Sequence, residues 1–352
     1  MKNSLIKYLI ILALAGFFLV ESQAEIRYAG SFLELGIGAR AMGMGGAFVS
    51  VADDGSSFYW NPAGASLLFR PELAGMYSQL FKSLEQHHHI GFTRPIYGGA
   101  GISLNWIRLS VSDIPAYSEP EGTYAERRAE TTDFFTWQEL EQAQPGLALT
   151  SSPYDFSQFN NDAFILTFAK LYKLDIDFGW QYFVFPTEIP LGLNVKFIRQ
   201  SLFGQTSSGL GFDLGGMFRF GLNDLLDDNR LGKISMGMAV KDIFNTRLTW
   251  NTQNRAVANI KRSWQMGLSY FQPIPRINGK LLFAYAWDKK YDSIHHFGLE
   301  YIYRELLAVR FGLDDQQFTA GIGLKVFIFN VDYAFKGHEL GGSHRISAAI
   351  RF

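Results

Sequence analysis

The sequence lacks cysteine and is sparing with charge, and each absence excludes a class of protein. With no Cys among its 352 residues, disulfide frameworks, thiolate metal sites and cysteine nucleophiles are excluded. Charged residues make up only 18% of the chain, and 32 basic residues nearly balance 33 acidic ones. A disordered chain carries more charge and fewer apolar residues, and a nucleic-acid-binding protein has a basic excess. We therefore expect a packed or membrane-embedded chain with no nucleic-acid partner.

Long apolar runs are also missing, except at the N-terminus. Residues 1–24 combine a basic start, an apolar run from Tyr8 to Val20, and small residues Ser22 and Ala24 spaced as at a signal-peptide cleavage site. The run is shorter than the 20 or so residues that a spanning helix needs, so we predict a cleaved signal peptide. Because no later stretch has that length, a membrane-embedded mature chain must be a closed β-barrel. The expected location is the bacterial outer membrane.

What the chain does have is aromatic residues (16%), 35 glycines and a two-residue alternation. At the C-terminus, for example, Ile346, Ala348, Ile350 and Phe352 alternate with polar or small residues, which places the two sets on opposite faces of a strand. Fourteen segments are candidate strands: 71–81, 87–96, 98–111, 161–171, 189–203, 208–220, 233–243, 262–272, 279–288, 294–303, 306–314, 317–326, 328–336 and 341–352.

A soluble β-sandwich also alternates, but its outer face rarely carries glycine and small residues along so many strands. The pattern favours an all-β fold, a transmembrane antiparallel up-and-down β-barrel of about 14 strands. We assign residues 25–70 to an N-terminal plug and 71–352 to the barrel. The acidic segment 112–160 is predicted to be a long extracellular loop with a short helix near 134–142, and 244–261 a polar connection. The segment 174–186 is compatible with a strand extension, a hairpin arm or a loop.

The segment before the first strand is unusually rich in glycine and small residues. It contains the run Leu35 to Gly43 (LGIGARAMG), then Gly45-Gly46-Ala47, Ala52-Asp53-Asp54 and Tyr59 to Gly64 (YWNPAG). Together these motifs resemble the start of the PorV/PorQ family, which is related to FadL-type outer-membrane transporters. The local match spans about 35 residues. The resemblance implies that this segment plugs or lines the periplasmic side of a 14-stranded barrel. The plug or lumen residues carried over in this way are Gly36, Gly38, Arg40, Gly43, Asp53, Asp54, Asn61, Pro62 and Ala63.

Arg40 is a lone cation among small residues, and a buried guanidinium needs carboxylate or carbonyl partners. We expect these from Asp53 or Asp54 on the plug, or from lumen-facing residues such as Glu300 and Asp213 on the wall.

Two specific functions are compatible with this architecture, and a third possibility is a structural barrel of unassigned function. The PorV/PorQ resemblance implies an accessory barrel of type IX secretion, in which the 112–160 loop binds a secretion translocon and exported proteins. The alternative is a FadL-like passive transporter of hydrophobic small molecules. In either case outer-membrane lipid and the barrel-assembly machinery are expected partners. The last strand supports the barrel-assembly machinery as a partner, because it resembles an assembly signal. The residues of this signal are Ile346, Ala348, Ile350 and the final Phe352.

Chemistry-bearing motifs are few. His87 and His89 share one strand face while His88 faces away, which is too few ligands for a typical zinc site. The sequence has no G-x-S-x-G nucleophile motif. We therefore expect no enzyme activity, no cofactor and no metal.

Overall fold

The computed structural model describes residues 29–80, 85–116, 155–177, 184–337 and 342–352, together with Glu139 and Gln142, which are both helical. The predicted signal peptide 1–24, and the predicted helix 134–142 apart from those two residues, lie outside this part of the chain. In the described ranges, no helix combines the length and apolarity needed to cross a membrane.

In the described part of the chain, sixteen strands form one antiparallel sheet. They are β1 (Glu72–Leu80), β2 (Glu85–Ile96), β3 (Ala100–Ala116), β4 (Asp155–Asp177), β5 (Val184–Leu202), β6 (Gln205–Gly221), β7 (Lys233–Lys241), β8 (Thr246–Trp250), β9 (Val257–Ile260), β10 (Ser263–Ile274), β11 (Gly279–Lys289), β12 (Ser293–Tyr303), β13 (Leu307–Asp314), β14 (Gln317–Val326), β15 (Phe329–Lys336) and β16 (Ser343–Arg351).

The sheet closes on itself. β1 pairs with β16, β5 pairs with β6, and β7 pairs with β10, so that every strand except β8 and β9 belongs to one ring. The ring is a closed 14-stranded antiparallel barrel, which confirms the predicted fold and strand number. Each of the fourteen predicted segments overlaps one strand of the ring.

Two segments differ from the sequence prediction. The polar connection 244–261 contains the β8–β9 hairpin, whose strands of five and four residues are too short to show clear alternation. β3 continues to Ala116 and β4 begins at Asp155, so the ends of the predicted 112–160 loop are strand. For the segment 174–186 the first of the three alternatives holds in the described part, because residues 174–177 and 184–186 extend β4 and β5, which pair as far as Asp177 and Val184.

The two rims of the barrel differ. At one, the terminal rim, β1 begins and β16 ends, and turns such as 304–306 and 327–328 are tight. At the other, the loop rim, the chain connects β3 to β4 and carries the β8–β9 hairpin. Tight turns also occur at the loop rim, between β5 and β6 and between β13 and β14.

The strands alternate between outward-facing and lumen-facing side chains. On β16, Ile346 is 51% exposed on the outer face, whereas its neighbour Arg345 is 4% exposed in the lumen. Large apolar residues that cover the outer face, including Phe164, Phe283 and Phe311, are about half exposed. The buried apolar core therefore lies inside the barrel, between the plug and the wall, and is centred on plug residues such as Phe48 and Phe58.

The plug occupies the lumen from residue 29 to residue 70. It contains two short helices, α1 (Ala39–Gly43) and α2 (Ser57–Trp60), and two 3-10 turns, Ser31–Glu34 and Pro62–Leu67. Outside the plug, α3 (Leu222–Leu226) and a 3-10 turn (Pro275–Ile277) connect strands at the terminal rim. Glu34 pairs with Lys290 at the loop rim, and the Ala65 carbonyl lies against Gly101 near the terminal rim. The plug thus runs the length of the barrel.

Candidate functional site in the barrel lumen

The glycine-rich start of the plug adopts backbone conformations that other residues avoid. Gly36 has a φ of 81° and Gly38 a φ of 87°, both in the left-handed half of conformational space. These two residues turn the chain so that α1 can enter the lumen. The turn also brings the Gly38 N–H to the Sδ atom of Met76 on β1, at 3.2 Å.

Close approach between plug and wall explains a second set of glycines. A Cβ atom added at Gly43 would lie 3.1 Å from the Cα of Gly321 on β14, and one at Gly312 on β13 would overlap the backbone of Gly45. Side chains on both surfaces would push the plug away from the wall. Glycine on the wall is therefore as necessary as glycine on the plug.

Asn61 holds the second half of the plug. Its Oδ1 atom accepts a hydrogen bond from Ala63 N at 3.2 Å, which caps the turn that begins at Pro62. Its Nδ2 atom donates to the carbonyls of Val49 on the plug at 2.9 Å and Gly216 on the wall at 3.1 Å. The cap is local, whereas the bond to Gly216 depends on the barrel.

Arg40 lies at the centre of an ion network that joins the plug to the wall. Its Nη2 and Nε atoms donate to Glu300 on β12 at 2.9 and 3.0 Å, a bidentate pair. Nη1 donates to Asp53 at 2.5 Å and to Asp54 at 3.2 Å. Three of the four carboxylates suggested by the sequence therefore surround this guanidinium.

The network continues along the wall. Arg310, directly opposite Glu300 in the sheet, donates to it at 2.7 Å and to Asp332 on β15 at 2.6 Å. We call Arg40, Asp53, Asp54, Glu300, Arg310 and Asp332 the Arg40 cluster.

A second link between plug and wall lies at the start of β1. Glu72 accepts from the Gly55 N–H of the plug at 2.8 Å and pairs with Arg351 at the end of β16.

The electrostatics of the cluster keep Arg40 charged. Burial lowers the pKa of Arg40, but the neighbouring carboxylates of Asp53, Glu300 and Asp54 outweigh it, so that the pKa lies well above its ordinary value. The plug also has a neutral polar anchor, since burial raises the pKa of Tyr59 well above its usual range. As a protonated phenol, Tyr59 donates to the Leu33 carbonyl at 2.7 Å and accepts from Gly36 N at 3.0 Å.

Asp213 does not join Arg40, contrary to the sequence prediction. It pairs with Lys196 at 2.7 Å, and Lys196 also contacts Asp242 at 2.9 Å. Asn194 connects this buried group to the plug, because its Nδ2 atom donates to Asp213 at 3.0 Å and to the Phe58 carbonyl at 2.7 Å. Asp213 faces the lumen as alternation predicts, but it lies on β6, four strands around the ring from Glu300 on β12. Alternation gives the face of a strand and not the position around the ring.

The plug leaves two cavities in the lumen. The loop-side cavity, about 540 Å³, is bounded below by plug residues Leu33, Leu35, Met42, Phe58, Tyr59 and Trp60. The terminus-side cavity, about 440 Å³, is lined by more polar groups, including the Arg40 cluster and the lysines 233, 280 and 325. The plug body, with Arg40 on its terminus side, separates the two spaces.

The structure thus places all nine sequence-derived plug residues, Gly36 to Ala63, inside the barrel. Sequence reasoning missed Lys196, Arg310, Arg345 and Lys241, all of which line the lumen. Their positions on the inward face of alternating strands were visible, but their partners were not. On the last strand, Ile346 and Phe352 are exposed on the outside, while the assembly role proposed for them and for Ala348 and Ile350 stays a prediction.

Metal-ligating side chains are not grouped in the described ranges: no three His, Asp or Glu residues there form a candidate site. As alternation predicts, His87 and His89 are buried in the lumen-facing row of β2, whereas His88 packs against Tyr77 on the outer face.

Comparison with solved structures finds transporters and channels that match most of the chain. The toluene transporter TodX of Pseudomonas putida has 11% identity and a TM-score of 0.48, over 90% of this chain and 97% of that one. CymD, a monoaromatic hydrocarbon channel, has 11% identity and a TM-score of 0.47, over 90% and 98%. A FadL homologue of Pseudomonas aeruginosa has 9% identity and a TM-score of 0.39, over 87% and 96%.

The fold is that of an outer-membrane β-barrel. Its neighbours among solved structures include FadL-type channels, and at these identities the similarity concerns the fold alone. No family model and no curated protein matches the sequence. The resemblance to the PorV/PorQ family in particular stays a prediction.

Proposed function

We propose that this protein lies in the bacterial outer membrane and is a passive channel for small hydrophobic molecules. The observation that carries the proposal is the loop-side cavity. It is a concave space of about 540 Å³ inside the barrel, lined by aliphatic and aromatic plug side chains and by charged wall residues, among them Asp288 and Asp314. Concave spaces of this size that combine an apolar surface with placed polar groups are typical of small-molecule sites.

In this proposal a molecule enters at the loop rim and rests on Phe58, Tyr59 and Trp60. Trp60 is fixed by a hydrogen bond from its Nε1 atom to the Ile37 carbonyl at 2.8 Å, and Tyr59 packs edge-on against it. Onward passage requires local rearrangement of the plug, since the Arg40 cluster closes the route to the terminus-side cavity. TodX is described as a toluene transporter and CymD as a monoaromatic hydrocarbon channel. This analogy is the reason for choosing toluene as the probe, and it does not carry the proposal of a channel.

The test is uptake of radiolabelled toluene by Gram-negative cells that lack their own hydrocarbon channel and express this protein. We expect uptake above that of cells with an empty vector. Ile294→Trp should lower it, because Ile294 lines the loop-side cavity. Phe297→Trp is the matched control, since Phe297 lies on the same strand and faces the lipid, 49% exposed. Uptake no greater than the vector control, with normal amounts of protein in the outer membrane, would refute the channel.

The secretion-accessory role stays a prediction from the PorV/PorQ resemblance. Its docking surface would be the acidic 112–160 loop, most of which lies outside the described residues. Affinity capture of the intact protein from detergent-solubilised membranes separates the two functions. Co-purifying translocon subunits or exported proteins would favour secretion, whereas bound hydrophobic small molecules would favour the channel.

A further inference from the structure

Three neighbouring rows of outward-facing side chains cross strands β2 to β5 near the loop rim. Each row consists of residues that lie directly opposite one another in adjacent strands, with Cβ atoms about 5 Å apart. The row nearest the terminal rim is Ile90, Trp106, Phe164 and Phe197. The row nearest the loop rim is Gln86, Ser110, Asn160 and Ser201. Between them lie His88, Arg108, Asp162 and Arg199, which we call the outer row.

The three rows mark the loop-side edge of the apolar band on the outside of the barrel. Ile90, Phe164 and Phe197 are about half exposed, as expected for side chains that face hydrocarbon. Two residues further along each strand the side chains are charged, and two residues beyond that they are neutral and polar. The β3–β4 connection lies at the same rim, and long loops are extracellular in outer-membrane barrels. The outer row therefore lies at the headgroup level of the outer leaflet.

Arg108 is held in a fixed position within the outer row. Its Nε and Nη2 atoms donate to the two carboxylate oxygens of Asp162 at 2.7 and 2.9 Å, and the Trp106 indole N–H donates to the same carboxylate at 2.8 Å. The guanidinium also lies 5.0 Å from the ring centre of Trp106, which stacks on Phe164. The Nη1 atom of Arg108 forms no hydrogen bond within the described ranges, and the side chain is 40% exposed.

Arg199 lies on the other side of Asp162 and is exposed. Its side chain forms no ion pair or hydrogen bond with another described residue. Asp162 is only 13% exposed, so the charges that the outer row presents to its surroundings are those of the two arginines. The backbones of Arg108 and Arg199 are two strand spacings apart, about 10 Å. The result is an excess of positive charge directly beside an apolar and aromatic surface.

We propose that the outer row is a binding site for the phosphate groups of a lipid in the outer leaflet. The planar guanidinium matches the oxygen geometry of phosphate, and Arg108 and Arg199 provide the charged donors. His88 lies beside Arg108 and provides a further hydrogen-bond donor. The acyl chains of the lipid cover Trp106, Phe164 and Phe197. This proposal rests on the outer-membrane location in the proposed function, but it does not depend on the channel.

The apolar row is the reason for assigning a lipid phosphate and not a free phosphate ion. An inorganic ion would be bound by the arginines alone and would gain nothing from the half-exposed aromatic residues next to them. A phosphorylated lipid places its headgroup and its hydrocarbon on the two rows at once. Basic clusters at the edge of a membrane-spanning surface bind anionic headgroups in this way.

The experiment compares lipid A, whose disaccharide headgroup carries phosphates, with the same lipid after removal of its phosphates. The intact protein in detergent micelles is titrated with each lipid, and native mass spectrometry counts the lipid molecules that stay bound. We expect lipid A to bind at least about 10-fold more tightly than the dephosphorylated lipid, the effect of a hydrogen bond to a charged group. Inorganic phosphate at millimolar concentration should not displace it.

Variants locate the effect. Arg199→Gln and Arg108→Gln should each reduce the preference for lipid A to less than about 3-fold, and Arg199→Lys should retain part of it. Arg94→Gln is the matched control, because Arg94 is an exposed arginine on the same face of β2, six residues from His88 towards the terminal rim. It should leave the preference unchanged. Heat-modified mobility on gels checks folding, and Arg199→Gln breaks no described contact if Arg108→Gln fails to fold.

Equal binding of the two lipids, or an unchanged preference in both Arg199→Gln and Arg108→Gln, would overturn the inference. Displacement of lipid A by inorganic phosphate would also overturn it, because the outer row would then be a site for the free ion. The channel is tested separately by toluene uptake. Preference for lipid A without toluene uptake would refute the channel alone, and toluene uptake without that preference would refute the lipid site alone.

Discussion

Replacing Arg40 by Gln should loosen the plug without unfolding the barrel. The substitution removes the bidentate pair with Glu300, which is fully buried, and the pairs with Asp53 and Asp54. Asp53 is 42% exposed, so its pair contributes only about 0–1 kcal/mol. Hydrogen bonds to a buried charge contribute about 1.5–3 kcal/mol each. Glu300 keeps Arg310 as a partner at 2.7 Å, which limits the loss.

Together, the lost interactions weaken the free energy of plug docking by about 2–4 kcal/mol. This change is equivalent to a rise of about 30- to 900-fold in the population with an undocked plug. Hydrogen–deuterium exchange at α1, where Met42 N donates to the Gly38 carbonyl, measures that population directly. Single-channel conductance in planar bilayers measures its effect on permeability. Exchange and conductance should rise together.

The control is Arg108→Gln, which removes an equally bidentate arginine on the outer face. Arg108 donates to Asp162 at 2.7 and 2.9 Å, but its side chain is 40% exposed. The change should therefore leave α1 exchange and conductance as in the parent protein. If Arg40→Gln also left both unchanged, the Arg40 cluster would not hold the plug and the reasoning would be wrong.

Three further predictions follow from the wall and the last strand. Gly312→Val should prevent the plug from docking and lower the yield of folded barrel. Gly75→Ala is the control and should be tolerated, because a Cβ atom added there meets nothing closer than 3.6 Å. Heat-modified gel mobility measures the folded fraction of each variant. Lys196→Met leaves two buried carboxylates facing each other and should lower the free energy of unfolding by about 3–5 kcal/mol, measured by urea titration in lipid vesicles; an unchanged midpoint would contradict this. Deletion of Phe352 should reduce the amount of protein assembled in the outer membrane, and normal amounts on membrane fractionation would show that the terminal aromatic is not an assembly signal.

Much of the barrel could be predicted from the sequence because side chains along each long strand alternate between the outer face and the lumen every two residues. Residues such as Ile346 and Arg345 face lipid and lumen as the alternation indicates. The rule fails where strands are short. The hairpin β8–β9 was predicted as a loop because four or five residues, with Leu248 buried beside the exposed Arg247, are not a recognisable period.

The candidate site could be predicted only in part. That Arg40 needs carboxylates follows from its chemistry, and Asp53 and Asp54 are near in sequence. Glu300 and Asp213 are equally lumen-facing, and only the curvature of the closed sheet brings one to Arg40 and the other to Lys196. The position of Ser78 between His87 and Arg345 could not be predicted at all, since it depends on the register of β1 with β2 and β16.

Glu72 bears on how the barrel folds. It joins residues 279 apart in the chain through its pair with Arg351, and it also accepts a hydrogen bond from Gly55 of the plug. The seam between the first and last strands is the strand pairing of greatest sequence separation, and such contacts form slowly because the chain between them must first be ordered. The plug runs the length of the lumen and contacts the wall on several sides. If the seam closed first, the plug would have to enter a barrel that had already closed. The route we expect is that the growing sheet curls around the plug, and that Glu72 engages Gly55 before it meets Arg351.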